Sequence, residues 1–356
     1  MPSNIVIGDR IIGSGNKPFI IAEMSGNHNQ SLARALAIVE AAAQSGADAL
    51  KLQTYTADTM TLDLRRDEFL ISDPRSLWHG KSLYQLYQEA HTPWNWHEII
   101  FKRCRELGIV GFSTPFDETA VDFLESSNVS AYKVASFENT DLPLIRKIAA
   151  TGRPMIISTG MATAAEIAET IATARTAGCS DIVLLKCTSS YPASPSESNL
   201  RTIPDLQKRF NVQVGLSDHT LGTAAAVASV ALGAVVIEKH FTLSRAEGGP
   251  DAAFSLEPAE LTQLVSDTKS AWEALGNVSY GTSELEKRSL QFRRSTYVVR
   301  EIKAGETFTK MHLRAIRPGF GLPPKYTEEI IGRRASRDVT AGTPLTAELV
   351  EGLTVS

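Results

Sequence analysis

Cysteine is scarce in this chain. Its three residues, Cys104, Cys179 and Cys187, are too few and too scattered along 356 residues for a disulfide framework or a zinc knuckle, which predicts a protein of the reducing cytoplasm. Long apolar runs are missing too. None approaches the ~20 residues that cross a bilayer, and the N-terminal MPSNIVIGDR has no signal-peptide core. The third absence is an excess of basic charge. At net −4 the chain lacks the positive surface that nucleic acids and anionic membranes select, so any positive potential must be local. With 43% hydrophobic and 21% charged residues, nothing suggests disorder, and the length suits one large domain plus a small one.

What is present is a repeat. Short apolar segments stand at 18–23 (PFIIAE), 48–53 (DALKLQ), 109–114 (IVGFST), 131–136 (AYKVAS), 154–159 (PMIIST), 181–187 (DIVLLKC), 212–217 (VQVGLS) and 234–239 (AVVIEK). Between them lie amphipathic stretches of helical period, such as 32–44, 119–126, 164–177 and 223–232, many closed by glycine. This tiling predicts an α/β fold, a (β/α)8 TIM barrel. A doubly wound sheet is the competitor, and the even spacing favours closure. Residues 4–12, IVIGDRIIG, predict a hairpin turning at Gly8-Asp9 that plugs or covers the barrel. One spacing is irregular: roughly 55 residues separate the second and third strands, an insertion that belongs to the catalytic face. Its Trp78, Tyr84, Tyr87, Trp94 and Trp96 either wall a pocket or pack the insertion onto the barrel.

After the last amphipathic stretch (261–275) the texture changes. The predicted organisation is a barrel with its hairpin over 1–280, a Gly/Ser-rich and then charged linker over 281–294, and a small β-rich domain over 295–356. Within that domain the pattern of 302–308 recurs at 339–345. At roughly 60 residues such a domain is marginal alone, so it is expected to rest on a partner surface.

In a barrel, polar residues that end apolar strands face the catalytic mouth. Here they are Glu23, Lys51, Gln53, Ser113, Thr114, Lys133, Ser136, Glu138, Ser158, Thr159, Lys186, Thr188, Ser217, His219, Glu238 and His240. Residues 213–240 hold two apolar runs, each closed by a histidine, His219 and His240. Two readings stay open for them: a shared divalent metal, or two hydrogen-bonded strand-end histidines. A lysine inside an apolar strand is costly to bury unless it meets an anion. Lys51, Lys133 and Lys186 therefore indicate a phosphate plus a carboxylate, or else ion pairs across the barrel with Glu23, Glu138 or Glu238. Glu23, at a strand end before the polar turn 25–28, is a candidate general base or water-orienting group. Asp251 follows a Gly-Gly-Pro loop and is either a further metal or substrate ligand or a solvated loop residue.

The strings IAEMSGNHN, KLQTY, FSTPFD, YKVASFE, STGMA, LKCTSSYPAS, VGLSDHTLG, ALGAVVIEKHFTL, GGPDAAFSLEP and RPGFGLPP resemble those of the sialic acid synthase family, the phosphoenolpyruvate-condensing synthases of nonulosonic acids. The likeness runs in order from about residue 17 to the C-terminus. It implies a (β/α)8 barrel followed by an antifreeze-like (SAF) domain exchanged between the two chains of a homodimer. It further implies that His219 and His240 hold a divalent metal, usually Mn2+, with Mg2+ or Co2+ as alternatives. Lys51, Lys133, Ser136, Ser158 and Ser217 match positions around phosphoenolpyruvate, Tyr191 lies in the matching CTxxYP loop, the strand-end Ser113 and Thr114 are expected to join them in binding substrate, and Glu23 matches an acid near the reacting carbons. Glu138 and Asp251 match sugar-side polar groups, and Arg317 the arginine that the SAF domain lends to its neighbour. The implied substrates are phosphoenolpyruvate and an N-acetylated amino-sugar aldose, joined with loss of phosphate by C–O cleavage.

Within that family the chain departs from the N-acetylneuraminate branch in one direction. Phe137 stands within Ser136-Phe137-Glu138 where that branch has SGE, Phe254 where it has DHxASLEP, and Phe320 where it has RPGNGI. These positions and the segment SLYQLYQEAHTPWNWH look more like the pseudaminic acid branch, whose sugar is a 6-deoxy 2,4-diacetamido hexose, 2,4-diacetamido-2,4,6-trideoxy-altrose. A methyl group and a second acetyl group favour apolar walls, each contact discriminating by ~1–3 kcal/mol; core packing is the other use for a phenylalanine. The GPD and SLEP strings resemble the other branch, so legionaminate or N-acetylneuraminate synthesis stays open. So do a metal-dependent aldolase or deoxyaldonic phosphate synthase on the same barrel, and a carbohydrate-binding role for the C-terminal domain.

Overall fold

The computed structural model describes residues 2–355, in two compact units, Met1–Gly276 and Asn277–Ser356. The first opens with an antiparallel hairpin, β1 (Ile5–Ile7) and β2 (Arg10–Ile12), in which Ile5 pairs with Ile12. Eight parallel strands follow: β3 (Phe19–Glu23), β4 (Ala49–Thr54), β5 (Val110–Pro115), β6 (Tyr132–Val134), β7 (Met155–Ser158), β8 (Ile182–Cys187), β9 (Gln213–Asp218) and β10 (Val236–His240). Among the described residues they hydrogen-bond in chain order, and β10 returns to β3, closing the barrel.

The helices are α1 (Leu32–Gln44), the inserted α2 (Ala57–Met60) and α3 (Leu83–Ala90), then α4 (His97–Glu106), α5 (Glu118–Ser126), α6 (Leu142–Ala149), α7 (Ala164–Thr176), α8 (Thr202–Phe210), α9 (Ala224–Ala231) and α10 (Pro258–Leu275). Their starts are written locally. Ser31, Asp117 and Asp141 each accept a first-turn backbone N–H of α1, α5 and α6, and Thr163 forms a reciprocal capping box with Glu166 on α7.

Because successive strand residues point to opposite faces, the barrel wall separates two apolar cores. Ile20, Leu50, Leu52, Tyr132, Val134, Ile157, Leu184, Val214, Leu216 and Ile237 face the helix layer. Phe19, Ile21, Ala49, Val110, Phe112, Ala131, Ile156, Val183, Leu185 and Val236 fill the interior, where the hairpin adds Ile5, Ile7 and Ile12. The hairpin is thus a plug on the interior core. No helix among the described residues is long and apolar enough to cross a membrane.

Most of the insertion's aromatic residues are used for packing. Trp94 stacks on Phe123 at 4.7 Å and donates to Tyr55 O at 3.2 Å, Trp96 meets the His28 ring at 5.5 Å, and Tyr84 donates to Asp58 at 3.1 Å. Trp78 is different: its indole N–H donates to Pro250 O at 2.8 Å, tying the insertion to the loop after β10.

The second unit carries an antiparallel pair, β11 (Ser295–Val298) and β12 (Leu313–Ile316), and its own core of Val298, Ile302, Phe308, Ile330, Leu345 and Leu349. Its sequence repeat is a structural one. Ile302 and Val339, at the same place in each copy, exchange backbone hydrogen bonds of 3.0 and 2.9 Å, and Phe308 and Leu345 are both fully buried.

Candidate active site

Stepping two residues along seven of the eight strands from the interior core reaches a polar layer; on β8 the step from Leu185 leads to Cys187. Ile21 leads to Glu23, Ala49 to Lys51, Phe112 to Thr114, Ala131 to Lys133, Ile156 to Ser158, Gly215 to Ser217, and Val236 to Glu238 and His240. The same parity corrects two expectations. Ser113 is not at the mouth: it lies on the outer face of β5, where its hydroxyl bonds Thr54 Oγ1 at 2.6 Å, and Thr54 meets His97 Nε2 at 2.8 Å. Lys186, next to the inner Leu185, also points outward and donates to Cys187 O and Thr188 Oγ1.

The layer is built around two lysines and two glutamates. Lys51 Nζ lies 2.6 Å from Glu23 Oε2 and 3.8 Å from Glu238 Oε1, and donates to Thr114 at 3.0 Å. Lys133 Nζ lies 3.9 Å from Glu238 Oε1 and donates to Ser158 Oγ at 2.7 Å, while Ser217 donates to Glu238 at 3.3 Å. Burial opposes the charge on Lys51, but Glu23 and Glu238 outweigh it and hold its pKa above the ordinary value. Lys133 falls below its ordinary value because burial exceeds the pull of Glu238. The two acids diverge. Burial raises Glu23 against the attraction of Lys51; burial of Glu238 is overcome by Lys133 and Lys51, which lower it. The two neighbouring carboxyls are thus shifted in opposite directions, Glu238 toward the anion and Glu23 toward the protonated form.

Beyond Lys133 the βα loops form a cradle. Gly160 N donates to Ser136 Oγ at 3.1 Å. A methyl group on Gly160 would sit 2.2 Å from Ser189 Oγ and 2.7 Å from Ser136 Oγ, so only glycine leaves the space between these hydroxyls open. One backbone N–H, three hydroxyls (Ser136, Ser158, Ser189) and an ammonium suit a tetrahedral anion. Gly160 and Ser189 were not singled out from the sequence; the signal was the glycine directly after the strand end in STGMA.

Across the mouth stand the imidazoles, ring centroids 5.3 Å apart. His219 Nδ1 donates to Thr188 O at 3.0 Å, which fixes the tautomer with its lone pair on Nε2. A longer contact, 3.9 Å, joins the same nitrogen to Cys187 Sγ. His240 is pushed well below its ordinary pKa by burial and then by His219 and Lys51, and its Nδ1 has no hydrogen-bond partner. Among the described residues no three His, Cys, Asp or Glu side chains gather into a metal cage. The residues nevertheless fit a divalent ion held by two neutral imidazoles, with the remaining positions open to substrate and water.

Asp251 Oδ2 lies 3.9 Å from His240 Nδ1 and accepts from Ser25. Tyr191 packs 4.5 Å from His219 and 6.0 Å from Trp78. Glu138, whose Oε2 has no partner, is pushed up by burial to about 7. The three phenylalanines separate: Phe254 is buried against the His240 ring at 4.9 Å, whereas Phe137 and Phe320 are exposed. Arg317 is exposed in the second unit, before a cis-proline.

A model of the NeuB family matches residues 38–280 and one of the SAF domain residues 293–351. A pseudaminic acid synthase of Campylobacter jejuni is 43% identical over 92% of this chain and 95% of its own length. An N,N'-diacetyllegionaminic acid synthase of Legionella pneumophila is 38% identical over 95% and 96%. Among solved structures, an N-acetylneuraminic acid synthetase of Leptospira borgpetersenii superposes with a TM-score of 0.73 at 30% identity, over 82% of this chain and 97% of that one.

Proposed function

This chain belongs to the NeuB family, and we propose that it condenses phosphoenolpyruvate with 2,4-diacetamido-2,4,6-trideoxy-altrose to give pseudaminic acid and phosphate. The observation that carries the reading is the cradle of Lys133, Ser136, Ser158 and Gly160 N facing the His219–His240 pair across one mouth. A phosphate and an electrophilic carbonyl oxygen can be served there at once. The greater identity to the pseudaminic than to the legionaminic acid synthase supports the choice of sugar.

In this reaction the enol carbon of phosphoenolpyruvate bonds to the aldehyde carbon, water adds to the resulting cationic centre, and phosphate departs with its bridging oxygen. The cradle holds the phosphoryl group, and Lys51 with Thr114 meets the carboxylate. Glu238 balances the two lysines, so the site is not over-charged before substrate arrives. Glu23, raised by burial, holds or releases a proton beside the reacting carbons. Asp251 and Glu138 hold sugar hydroxyls and amides, and Tyr191 closes over the imidazoles. His219 and His240 would hold a divalent cation, Mn2+ in this reading with Mg2+ or Co2+ as alternatives, which polarises the sugar carbonyl when bound.

The reading includes a homodimer in the cytoplasm, with Arg317 lent to a second copy. Exposed apolar side chains on the C-terminal unit, Phe292, Met311 and Phe320, support a partner surface there. The test is phosphate release that requires both phosphoenolpyruvate and a sugar, comparing the trideoxy-altrose with N-acetylmannosamine and the 2,4-diacetamido mannose analogue. Fastest turnover of the altrose is expected. Preference for a manno sugar would move the chain to the neuraminate or legionaminate reaction.

A further inference from the structure

Ser25 adopts a left-handed backbone, φ +48°, although it carries a side chain and is buried. Glycine occupies that region without penalty, whereas other residues stay there only where their surroundings hold them. The hydrogen bonds show what holds this one. Gln53 Nε2 donates one hydrogen to Glu23 Oε1 at 3.0 Å and the other to Ser25 Oγ at 3.1 Å. An amide nitrogen can only donate, so the serine hydroxyl accepts there and gives its own hydrogen to Asp251 Oδ2. The result is a line of four side chains, Glu23, Gln53, Ser25 and Asp251, in which Gln53 donates to both neighbours, Ser25 passes its own hydrogen on, and a carboxylate accepts at each end. It ends 3.9 Å from the unpartnered Nδ1 of His240.

Asp251 stands outside any strand, just after Gly248-Gly249-Pro250, with Gly249 at φ +137°. The loop is tied by Trp78 to Pro250 O and by Ser255 Oγ to Asp251 O at 2.7 Å. Both of those bonds fix its backbone. Ser25 alone among these three holds the carboxylate.

We propose that Ser25 is a positioning residue for the sugar: its hydroxyl fixes the direction of the Asp251 carboxylate at the mouth and registers it against Glu23 through Gln53. The inference rests on the reading of the site as a sugar-condensing centre. A side chain is kept at a position suited to glycine because the hydroxyl, and not the backbone turn, is what the site uses.

Three variants separate this from a structural role. Ser25→Ala loses the hydroxyl and keeps the strained backbone; Ser25→Gly loses the hydroxyl and relieves the strain; Ser25→Thr keeps the hydroxyl and adds a β-branch that the left-handed region tolerates poorly. Steady-state kinetics and thermal melting are measured on the full chain with Mn2+. The sugar KM is expected to rise about tenfold or more, and equally, in Ser25→Ala and Ser25→Gly, with the phosphoenolpyruvate KM within about twofold of wild type. Ser25→Gly should melt above Ser25→Ala. Ser25→Thr should melt below wild type yet keep the wild-type sugar KM, so that KM follows the hydroxyl and not the melting temperature. A wild-type sugar KM in Ser25→Gly, or a KM that tracks Tm across the three, overturns the proposal while an active wild type leaves the reading of the site intact. A wild type that releases no phosphate with any N-acetylated aldose overturns both.

Discussion

Lys239 Nζ lies 2.9 Å from Asp218 Oδ2 on the outer face of the barrel wall, and each residue is the immediate sequence neighbour of one of the two imidazoles. The same ammonium donates to Thr220 O at 2.6 Å and Gly222 O at 2.8 Å, so its three hydrogens meet three acceptors. It fastens the end of β9, the turn after His219 and the end of β10 together. Breaking such a buried pair from one side costs about 3–5 kcal/mol, because the remaining charge is left uncompensated. Lys239→Met should therefore lower stability by about that much in urea unfolding and weaken Mn2+ binding measured by calorimetry. The double variant Asp218→Asn/Lys239→Met should recover part of the stability. Equal losses in the single and double variants would contradict this account.

His240→Ala removes one of the two imidazoles and the face against which Phe254 packs. Turnover should fall at least ~100-fold, and Mn2+ should no longer raise it. Phosphoenolpyruvate binding without metal, followed by calorimetry, should stay within about threefold, since the cradle lies on β6 to β8. Retained metal-dependent turnover would remove the histidine pair from the mechanism.

Gly160→Ala tests the cradle directly. Its φ is not in the left-handed region, so the added methyl acts by volume alone, against Ser189 Oγ and Ser136 Oγ. The phosphoenolpyruvate KM should rise about tenfold or more while the sugar KM changes little, a shift of ~1.4 kcal/mol or more. An unchanged phosphoenolpyruvate KM would place the phosphate elsewhere.

Glu138 makes a pH prediction. Burial raises its carboxyl from 4.5 to about 7, more than Lys133 lowers it. Between these values the folded chain binds more protons than the unfolded one, so the stabilising contribution, fully present below 4.5, is lost as pH rises through 7. Subtracting the stability of Glu138→Gln from that of wild type should leave a curve that falls by on the order of 3 kcal/mol over this window and levels off outside it. Unfolding of both proteins from pH 4 to 8 checks it; a flat difference curve would mean that folding leaves the carboxyl's pKa unshifted.

The barrel was legible because apolar runs with polar ends repeat at regular intervals, and the side chains of Lys51, Lys133, Glu23 and Glu238 follow from their place in that repeat. What failed was parity. Ser113 and Thr114 are adjacent and both polar, and only the structure, by placing Phe112 inside, sends Thr114 to Lys51 and Ser113 to Thr54. Lys239 was hidden for the same reason: a lysine one residue before a site histidine faces the opposite side of the wall. Phe254 looks like a candidate pocket wall in the sequence, yet it is buried behind the imidazoles. Ser25 could not be found at all from residue type, since nothing in a serine between methionine and glycine reports a left-handed backbone.

The hairpin that fills the foot of the barrel with Ile5, Ile7 and Ile12 makes the interior a vessel with one portal. Asp251, Tyr191 and Trp78 stand at the rim on the opposite side, while the floor of the cradle, Lys133 and Ser158, lies further in, each only 2% exposed. Traffic through a single opening is ordered by depth. On the proposed assignment of the cradle to phosphate, the phosphorylated substrate is expected to enter before the sugar and inorganic phosphate to leave last. In product-inhibition kinetics, phosphate should then compete with phosphoenolpyruvate and be noncompetitive against the sugar.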